Sequence, residues 1–345
     1  MDTQPQLSII IVNWHSAEYL RACLASIFTG ECDFSFEVVV IDNGSYDGCG
    51  EMLRKEFPQV CFLQAPHNLG FAEGNNSAFA FSAGRNLLFL NPDTEVVGPA
   101  LRRMTDVLVS TPDAGIVGPR LVGPDFRVQR NCMRCLPTIL NQVLDASLSR
   151  KIVPKWWGLD VVARKSHQAA VAEVVPGTCL MVRREVFVEA GLFNPAYFLY
   201  AEDVDLCCKA RKLGWKAYYL DDAMVIHHGG RSSQLQHDGC YSAVLMRESV
   251  RKFLTTNRGR AYAFVFRAAT GAAAFCRVLA CGGFWLLATR PSRQLWRAAA
   301  NKWTRVLRWS LGREAWAEAL GGRQSSAASS LQVRRAESPQ QQLRA

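Results

Sequence analysis

A chain of 345 residues with 49% apolar and 20% charged content is long enough for one large or two ordinary globular units, which excludes a disordered or fibrous protein. Its twelve cysteines follow no paired spacing, and Cys132 with Cys135 is the one CxxC, without the second pair a zinc site needs; they read as reduced core thiols. The formal charge of +10 is carried by an Arg-rich stretch after Glu248, so a membrane surface is the expected partner of that stretch and nucleic acid is not.

The start, MDTQPQLSIIIVN, shows no basic stretch, long apolar core and cleavage site in series, so a cytoplasmic protein is expected. Ser8 to Val12 is a continuous apolar run, as in a strand buried on both faces of a parallel sheet. A helix follows with Ser16 as its cap and Leu20, Leu24 and Ile27 at helical spacing. Phe36 to Ile41 reads as a strand, Cys49 to Phe57 as a helix, Val60 to Leu63 as a strand, Phe71 to Ala83 as a helix and Leu87 to Leu90 as a strand. This alternation predicts a parallel α/β nucleotide-binding half over the first hundred residues.

Gly118-Pro119, Gly123-Pro124 and Pro137 then punctuate a segment read as loops and a variable binding region. Leu180 to Val182 reads as a strand, Arg184 to Ala190 and Asp203 to Leu213 as helices closed by Gly191 and Gly214, and Ala223 to Ile226 as a last short strand. Ala261 to Thr289 is apolar but interrupted by Arg267 and Arg277, which argues for lying in a membrane interface rather than crossing it. Leu295, Ala299, Trp303, Val306 and Leu307 share a helical face opposite Arg297, Arg305 and Arg308, the pattern of a basic amphipathic helix; packing on the rest of the protein is the plainer alternative. From Gln324 the chain is polar and expected to be disordered. The domain reading is therefore a 1–255 α/β unit, 256–315 membrane-associating helices and a 316–345 tail.

Acidic side chains recur just beyond apolar runs, in IDNGSYDG, FLNPD and YAEDVDL. Asp42, followed by the Asn43-Gly44-Ser45 turn, can accept a uracil or thymine imide N–H or a ribose hydroxyl; alone it would equally be an Asx turn. Asn68, Gly70, Gly74 and Asn75 put flexible backbone and amides at a helix start, where free N–H groups favour a diphosphate. Asp93 is the best metal-ligand candidate, since Mg²⁺ or Mn²⁺ commonly sits on one or two carboxylates plus substrate oxygens. Glu202, Asp203 and Asp205 crowd three carboxylates at a helix start, which suits a general base and equally suits the helix dipole. His227, followed by His228-Gly229-Gly230, can add a nitrogen ligand.

Taken in order, SIIIVNW, IDNGSYDG, NLGFAEGNN, FLNPDT, PGTCLMVRREVFVEAGLF, FLYAEDVDLCCKARKLGW and VIHHGGRSS resemble the family 2 glycosyltransferases, in particular the bacterial rhamnosyltransferase-like branch, over about Leu7 to Phe253. The resemblance implies a GT-A fold, a Rossmann-like, mainly parallel mixed sheet flanked by helices, here with a C-terminal helical extension. It implies inversion, a nucleotide-sugar donor and a divalent cation; with Asp42 as an imide acceptor the donor is expected to be a UDP- or dTDP-sugar, dTDP-rhamnose by resemblance, and with the basic C-terminal helices a lipid-linked or glycan acceptor at the inner face of the cytoplasmic membrane is expected. By position it makes Asp42 a nucleoside contact with Asn43 beside it, and Asn68, Gly70 and Asn75 part of the donor pocket. Asp93 becomes the metal carboxylate, Asp203 the base with Glu202 next to it, and His227 a metal-facing histidine. Three departures stand out: Asn91 replaces the second acid of the metal motif, Leu192 and Asn194 alter the turn after Gly191, and no QxxRW of processive polymerases is present. A sugar nucleotidyltransferase would need a Gly-rich basic loop after the first strand, where Asn13-Trp14-His15-Ser16 stands. A catalytically silent binding module is the other competing class.

Overall fold

The computed structural model describes residues 4–30, 32–129, 135–143, 169–229, 239–320 and 332–334. Cys132 of the CxxC and most of the tail lie outside these residues. The expected alternation opens the chain: β1 (Leu7–Asn13), α1 (Ala17–Phe28), β2 (Phe36–Asp42), α2 (Cys49–Glu56), β3 (Cys61–Gln64), α3 (Phe71–Phe79) and β4 (Asn86–Leu90). These strands lie parallel in the order β3-β2-β1-β4, and the β1 residues Leu7, Ile9, Ile10 and Ile11 are fully buried, as the unbroken apolar run required.

The sheet continues through strands of mixed direction. β5 (Thr94–Val97), α4 (Ala100–Ser110), β6 (Ala114–Val122), the short α5 (Ile139–Val143), β7 (Ala170–Ala172), β8 (Cys179–Arg183), α6 (Arg184–Glu189), α7 (Glu202–Lys212) and β9 (Lys216–His227) follow. β8 runs antiparallel to β4 and β6, β9 parallel to β6, and β5 antiparallel to β9, so a mixed sheet flanked by helices results. Two readings change here. Gly118-Pro119 lies inside β6 rather than in a loop, because β8 pairs only with Ile116 and Val117 and the β6–β9 register shifts after Pro119, so the missing N–H breaks no regular ladder. The last strand starts at Lys216, not Ala223: the same shift lets Asp221 and Asp222 leave the ladder, where Arg120 and Arg103 meet them at 3.6 and 2.6 Å.

The C-terminal layer comprises α8 (Gly239–Arg258), α9 (Arg260–Leu287), α10 (Arg290–Ser310) and α11 (Ala315–Ala319). The boundary expected at 255–256 thus falls within α8. Along α10 the part of the apolar face bearing Trp303 and Val306 is buried with Ala274 and Cys281 of α9, as the plainer alternative of helix packing has it, while Leu295 of the same face stays 73% exposed. Its Arg face is engaged too, with Arg305 and Arg308 on the buried Glu314 at 3.2 and 3.0 Å.

The two arginines that interrupt α9 point inward. Arg267 donates to the carbonyls of Ser310 and Trp309, while Arg277 donates to Val143 O and lies 4.3 Å from the Trp303 ring centre. What α9 leaves outside is apolar, with Phe264 72%, Leu279 60% and Leu287 87% exposed, and the helix is long and apolar enough by length and composition to cross a membrane. In the tail, β10 (Gln332–Arg334) pairs antiparallel with β3, so this part of a segment expected to be disordered is a strand on the sheet edge.

Candidate active site

The carboxyl ends of β1, β2 and β4 converge on a cavity of about 300 Å³. Asn43, Asn68, Gly70, Asn91 to Asp93, Thr178, Tyr200, His227 and Tyr241 contribute to its wall. Such a position, beyond the strand ends of an α/β sheet, is where a nucleotide is ordinarily received.

The turn after β2 is built by its acids. Asp42 is fully buried; its carboxylate accepts from Ser45 Oγ, from Asn13 Nδ2 at 3.2 Å and from the Tyr46 N–H and Gln64 Nε2, both at 2.8 Å. It is not among the residues lining the cavity, so the structure gives it the work of holding the turn, while the next residue, Asn43, faces inward. Asn43 locks the second loop: its Oδ1 accepts the Leu69 N–H at 2.9 Å, and its Nδ2 donates to Asn68 Oδ1 and Gly70 O, each at 3.1 Å. Two glycines make this possible. At Gly44 (φ 75°) a Cβ would come within 2.5 Å of the His67 backbone, and at Gly70 (φ 83°) within 2.4 Å of Phe198 O.

Asp47, which the sequence reading passed over, performs the capping expected of Ser16. Its Oδ2 accepts the N–H groups of Ser16 and Ala17 at 2.9 and 3.0 Å, while the Ser16 hydroxyl turns back to Trp14 O. Burial opposes the Asp47 charge, but hydrogen bonds from Asn13, Cys49 and Ala17 outweigh it and hold the carboxyl below its ordinary range. Asp42, Asp47 and Cys49 bring ligand atoms within 4.8 Å of one another, near enough for a cation. The Asn13 amide bonds both carboxylates and the Cys49 N–H bonds Asp47, so the group also ties the loop together.

Asp93 and His227 meet on the cavity wall. The β5–β9 pairing sets Thr94 opposite His227, and the His228 N–H donates to Asp93 O at 2.9 Å. This brings Asp93 Oδ1 to 3.6 Å from His227 Nε2, both side chains largely buried. Two ligands each about 2.1 Å from one small divalent ion lie about 3–4 Å apart, so a carboxylate oxygen and an imidazole nitrogen at this separation fit Mg²⁺ or Mn²⁺. His228 is occupied elsewhere, 2.6 Å from Glu95.

The acidic cluster does not line the cavity; it meets the wall through Gly177, the neighbour of the lining residue Thr178. Asp203 Oδ2 accepts the Gly177 N–H at 2.9 Å, and Oδ1 accepts the Val204 N–H at 2.8 Å, which holds the carboxylate beside the Thr178 side of the cavity. Glu202 is buried next to it, and Asp205 is held by Lys209 at 2.8 Å. The chain enters α7 through Tyr200 and Ala201, both left-handed without being glycine (φ 71° and 67°), a conformation that costs about 1 kcal/mol or more per residue and clusters at functional sites. Asn75, by contrast, is buried within α3, donating to Phe71 O at 2.9 Å, and does not line the cavity.

Aromatic side chains that no spacing pattern marks complete the wall. Trp14, Phe71, Phe198, Tyr200 and Tyr241 line it. Tyr241 is stacked on Trp316 of α11, ring centres 4.6 Å apart, so the C-terminal layer supports one side of the cavity.

A mixed sheet flanked by helices, with a cavity at its strand ends walled by a carboxylate, an imidazole and two amide-bearing loops, is the architecture of the GT-A type. The chain belongs to glycosyl transferase family 2, whose model matches residues 8–190, just over half of its length. It is 28% identical over 246 residues to the N-acetylglucosaminyl-diphospho-decaprenol L-rhamnosyltransferase of Mycobacterium tuberculosis (strain ATCC 25618 / H37Rv), covering 66% of this chain and 77% of that one. To Rhamnosyltransferase WbbL of Escherichia coli (strain K12) it is 23% identical, over 72% and 95% of the two chains. Among solved structures it superposes on the mannosyltransferase PcManGT from Pyrobaculum calidifontis, in complex with GDP-Man and Mn²⁺, with a TM-score of 0.54 at 14% identity, covering 90% and 88% of the chains. The chain is therefore a glycosyltransferase with the GT-A fold and rhamnosyltransferases among its relatives.

Proposed function

We propose that this glycosyltransferase moves one sugar, with inversion, from a UDP- or dTDP-sugar, dTDP-rhamnose foremost, to a lipid-linked acceptor at the cytoplasmic face of the membrane. The observation that carries the reading is the 3.6 Å meeting of Asp93 and His227 on the cavity wall. The rhamnosyl donor and diphospholipid acceptor are suggested by the name of the M. tuberculosis relative.

In this reading Asp203 accepts the proton of the acceptor hydroxyl while that oxygen forms a bond to the anomeric carbon and the glycosyl–phosphate bond breaks, its electron pair departing with the nucleoside diphosphate. A divalent cation held by Asp93 and His227 would supply positive charge to that leaving group. Asn43, Asn68 and Gly70 receive the donor, and Glu202 flanks the base. Asp42 contributes as the anchor of the loop rather than as a direct partner of the nucleobase. The outward face of α9, with Phe264, Phe275 and Leu279, is the surface proposed to rest on the bilayer.

A thermal-shift panel of UDP, dTDP and GDP with and without Mn²⁺, followed by transfer of labelled sugar to a polyprenyl-diphosphate-linked N-acetylglucosamine, tests the reading. Stabilisation by UDP or dTDP that depends on Mn²⁺, with an anomerically inverted product, is expected. Stabilisation by GDP alone overturns the donor assignment, and a product retaining the anomeric configuration overturns the mechanism.

A further inference from the structure

Past the end of β6 the chain doubles back on the sheet. Val128 bridges Val122, and the Gln129 N–H donates to Leu121 O at 2.9 Å, next to the β6–β9 pair Val122 and Ile226. The Gln129 side chain thereby arrives beside His227 and touches it twice. Its Nε2 donates to His227 O at 2.6 Å, and its Oε1 lies 2.8 Å from His227 Nδ1.

The first contact decides the chemistry of the second. A main-chain carbonyl only accepts, so the amide group facing it is the NH₂, and the oxygen of Gln129 is turned to the ring. That oxygen also only accepts, so Nδ1 carries the proton. In the neutral ring the remaining nitrogen, Nε2, then presents its lone pair, and Nε2 is the atom 3.6 Å from Asp93 Oδ1.

We infer that Gln129 is a positioning residue for the cation: through its two hydrogen bonds it fixes His227 in the Nδ1–H tautomer and aims Nε2 at the space beside Asp93. The inference rests on the metal reading proposed above. It assigns a role to a residue in a segment read from the sequence only as a variable binding region. A partner of this kind behind a ligating histidine commonly governs 10–100-fold in metal affinity.

Two measurements on the full-length protein test it. With ¹⁵N-labelled histidine at about pH 8, where imidazole is neutral, His227 assigned by substitution should give the nitrogen spectrum of the Nδ1–H tautomer; an Nε2–H spectrum overturns the inference without any variant of Gln129. Titration with Mn²⁺ alone, read by electron paramagnetic resonance, should then show binding weakened 10–100-fold in Gln129→Leu. Gln129→Glu, which keeps the acceptor for Nδ1–H, should stay within about threefold of the wild type. Equal Mn²⁺ affinity of wild type and Gln129→Leu overturns the inference while leaving the metal site standing. Wild-type protein whose Mn²⁺ binding is no stronger than that of Asp93→Ala removes the metal reading itself.

Discussion

Glu248 in the helical layer and Asp93 at the end of β4 are buried to nearly the same degree, 0% and 1% exposed, yet their surroundings differ. Both oxygens of Glu248 accept hydrogen bonds from Arg251, at 2.7 and 2.9 Å, and Trp309 Nε1 adds another at 3.0 Å. Asp93 instead borders a cavity with an imidazole across from it. The large apolar side chains reverse the relation: in the sheet they are sealed inside, whereas α9 keeps a row of them outside. Burial of an acid therefore does not mark a site; its partners do. Equally, the sheet is where chemistry is poised, and the helical layer is where charge is spent on packing.

The sharpest break between the two regions is catalytic. Asp203→Asn should slow sugar transfer by about 10²–10⁴ while leaving donor affinity within about threefold, because proton removal matters mainly in the transition state. Transfer at the wild-type rate would move the base to Glu202 or Asp205.

In the helical layer the large effect is on stability. Trp309 is 1% exposed and bonded to Glu248, so Trp309→Ala should cost about 3–5 kcal/mol in urea unfolding. A loss below about 1 kcal/mol would mean that α10 is only loosely attached. Gly70→Ala comes next: its Cβ would collide with Phe198 O in a left-handed backbone, and a loss of about 1–3 kcal/mol together with weaker donor binding is expected.

On the exposed face of α9 the balance inverts. Phe264→Ser with Leu279→Ser should leave stability within about 0.5 kcal/mol, since both are exposed, while lowering the fraction of protein that sediments with vesicles of anionic lipid. Unchanged sedimentation would mean that another surface contacts the bilayer.

The smallest effect is the pH dependence of the Asp47 anchor. Because its folded-state carboxyl is held below the unfolded value, its stabilisation is present above about pH 4 and is lost as pH falls through the lower folded value. Asp47→Asn should thus be less stable than wild type at pH 7, by about 1 kcal/mol, with the gap closing below about pH 3. A gap that persists into acid would assign the effect to packing.

The first hundred residues were legible because their apolar runs are mostly buried and their turns carry their own chemistry, as with Gly44 and Gly70. Asp93 and His227 were singled out from local motifs, and the fold brings them to one cavity wall; Asp203 sits one residue away from that wall, on the Gly177 N–H beside Thr178. What could not be read was what depends on partners distant in the chain. Asp42 and Asp47 sit in one motif, and only Gln64, Asn13 and the α1 N-terminus settle which groups each of them holds. Pro119 looked like a loop because composition does not show that pairing with β8 stops at Val117 while pairing with β9 runs on to Val122. The amphipathic pattern of α10 was read correctly as a pattern, but a periodicity cannot say whether its apolar face meets lipid or α9.

Asp93 and His227 are proposed to form the cation site that receives the donor diphosphate. Isothermal titration of UDP and dTDP into the full-length wild type and Asp93→Ala, each with Mn²⁺ and with EDTA, measures this directly. Binding that requires Mn²⁺ in the wild type and is lost in Asp93→Ala is predicted. Nucleotide affinity that is the same in EDTA and unaffected by Asp93→Ala would contradict it.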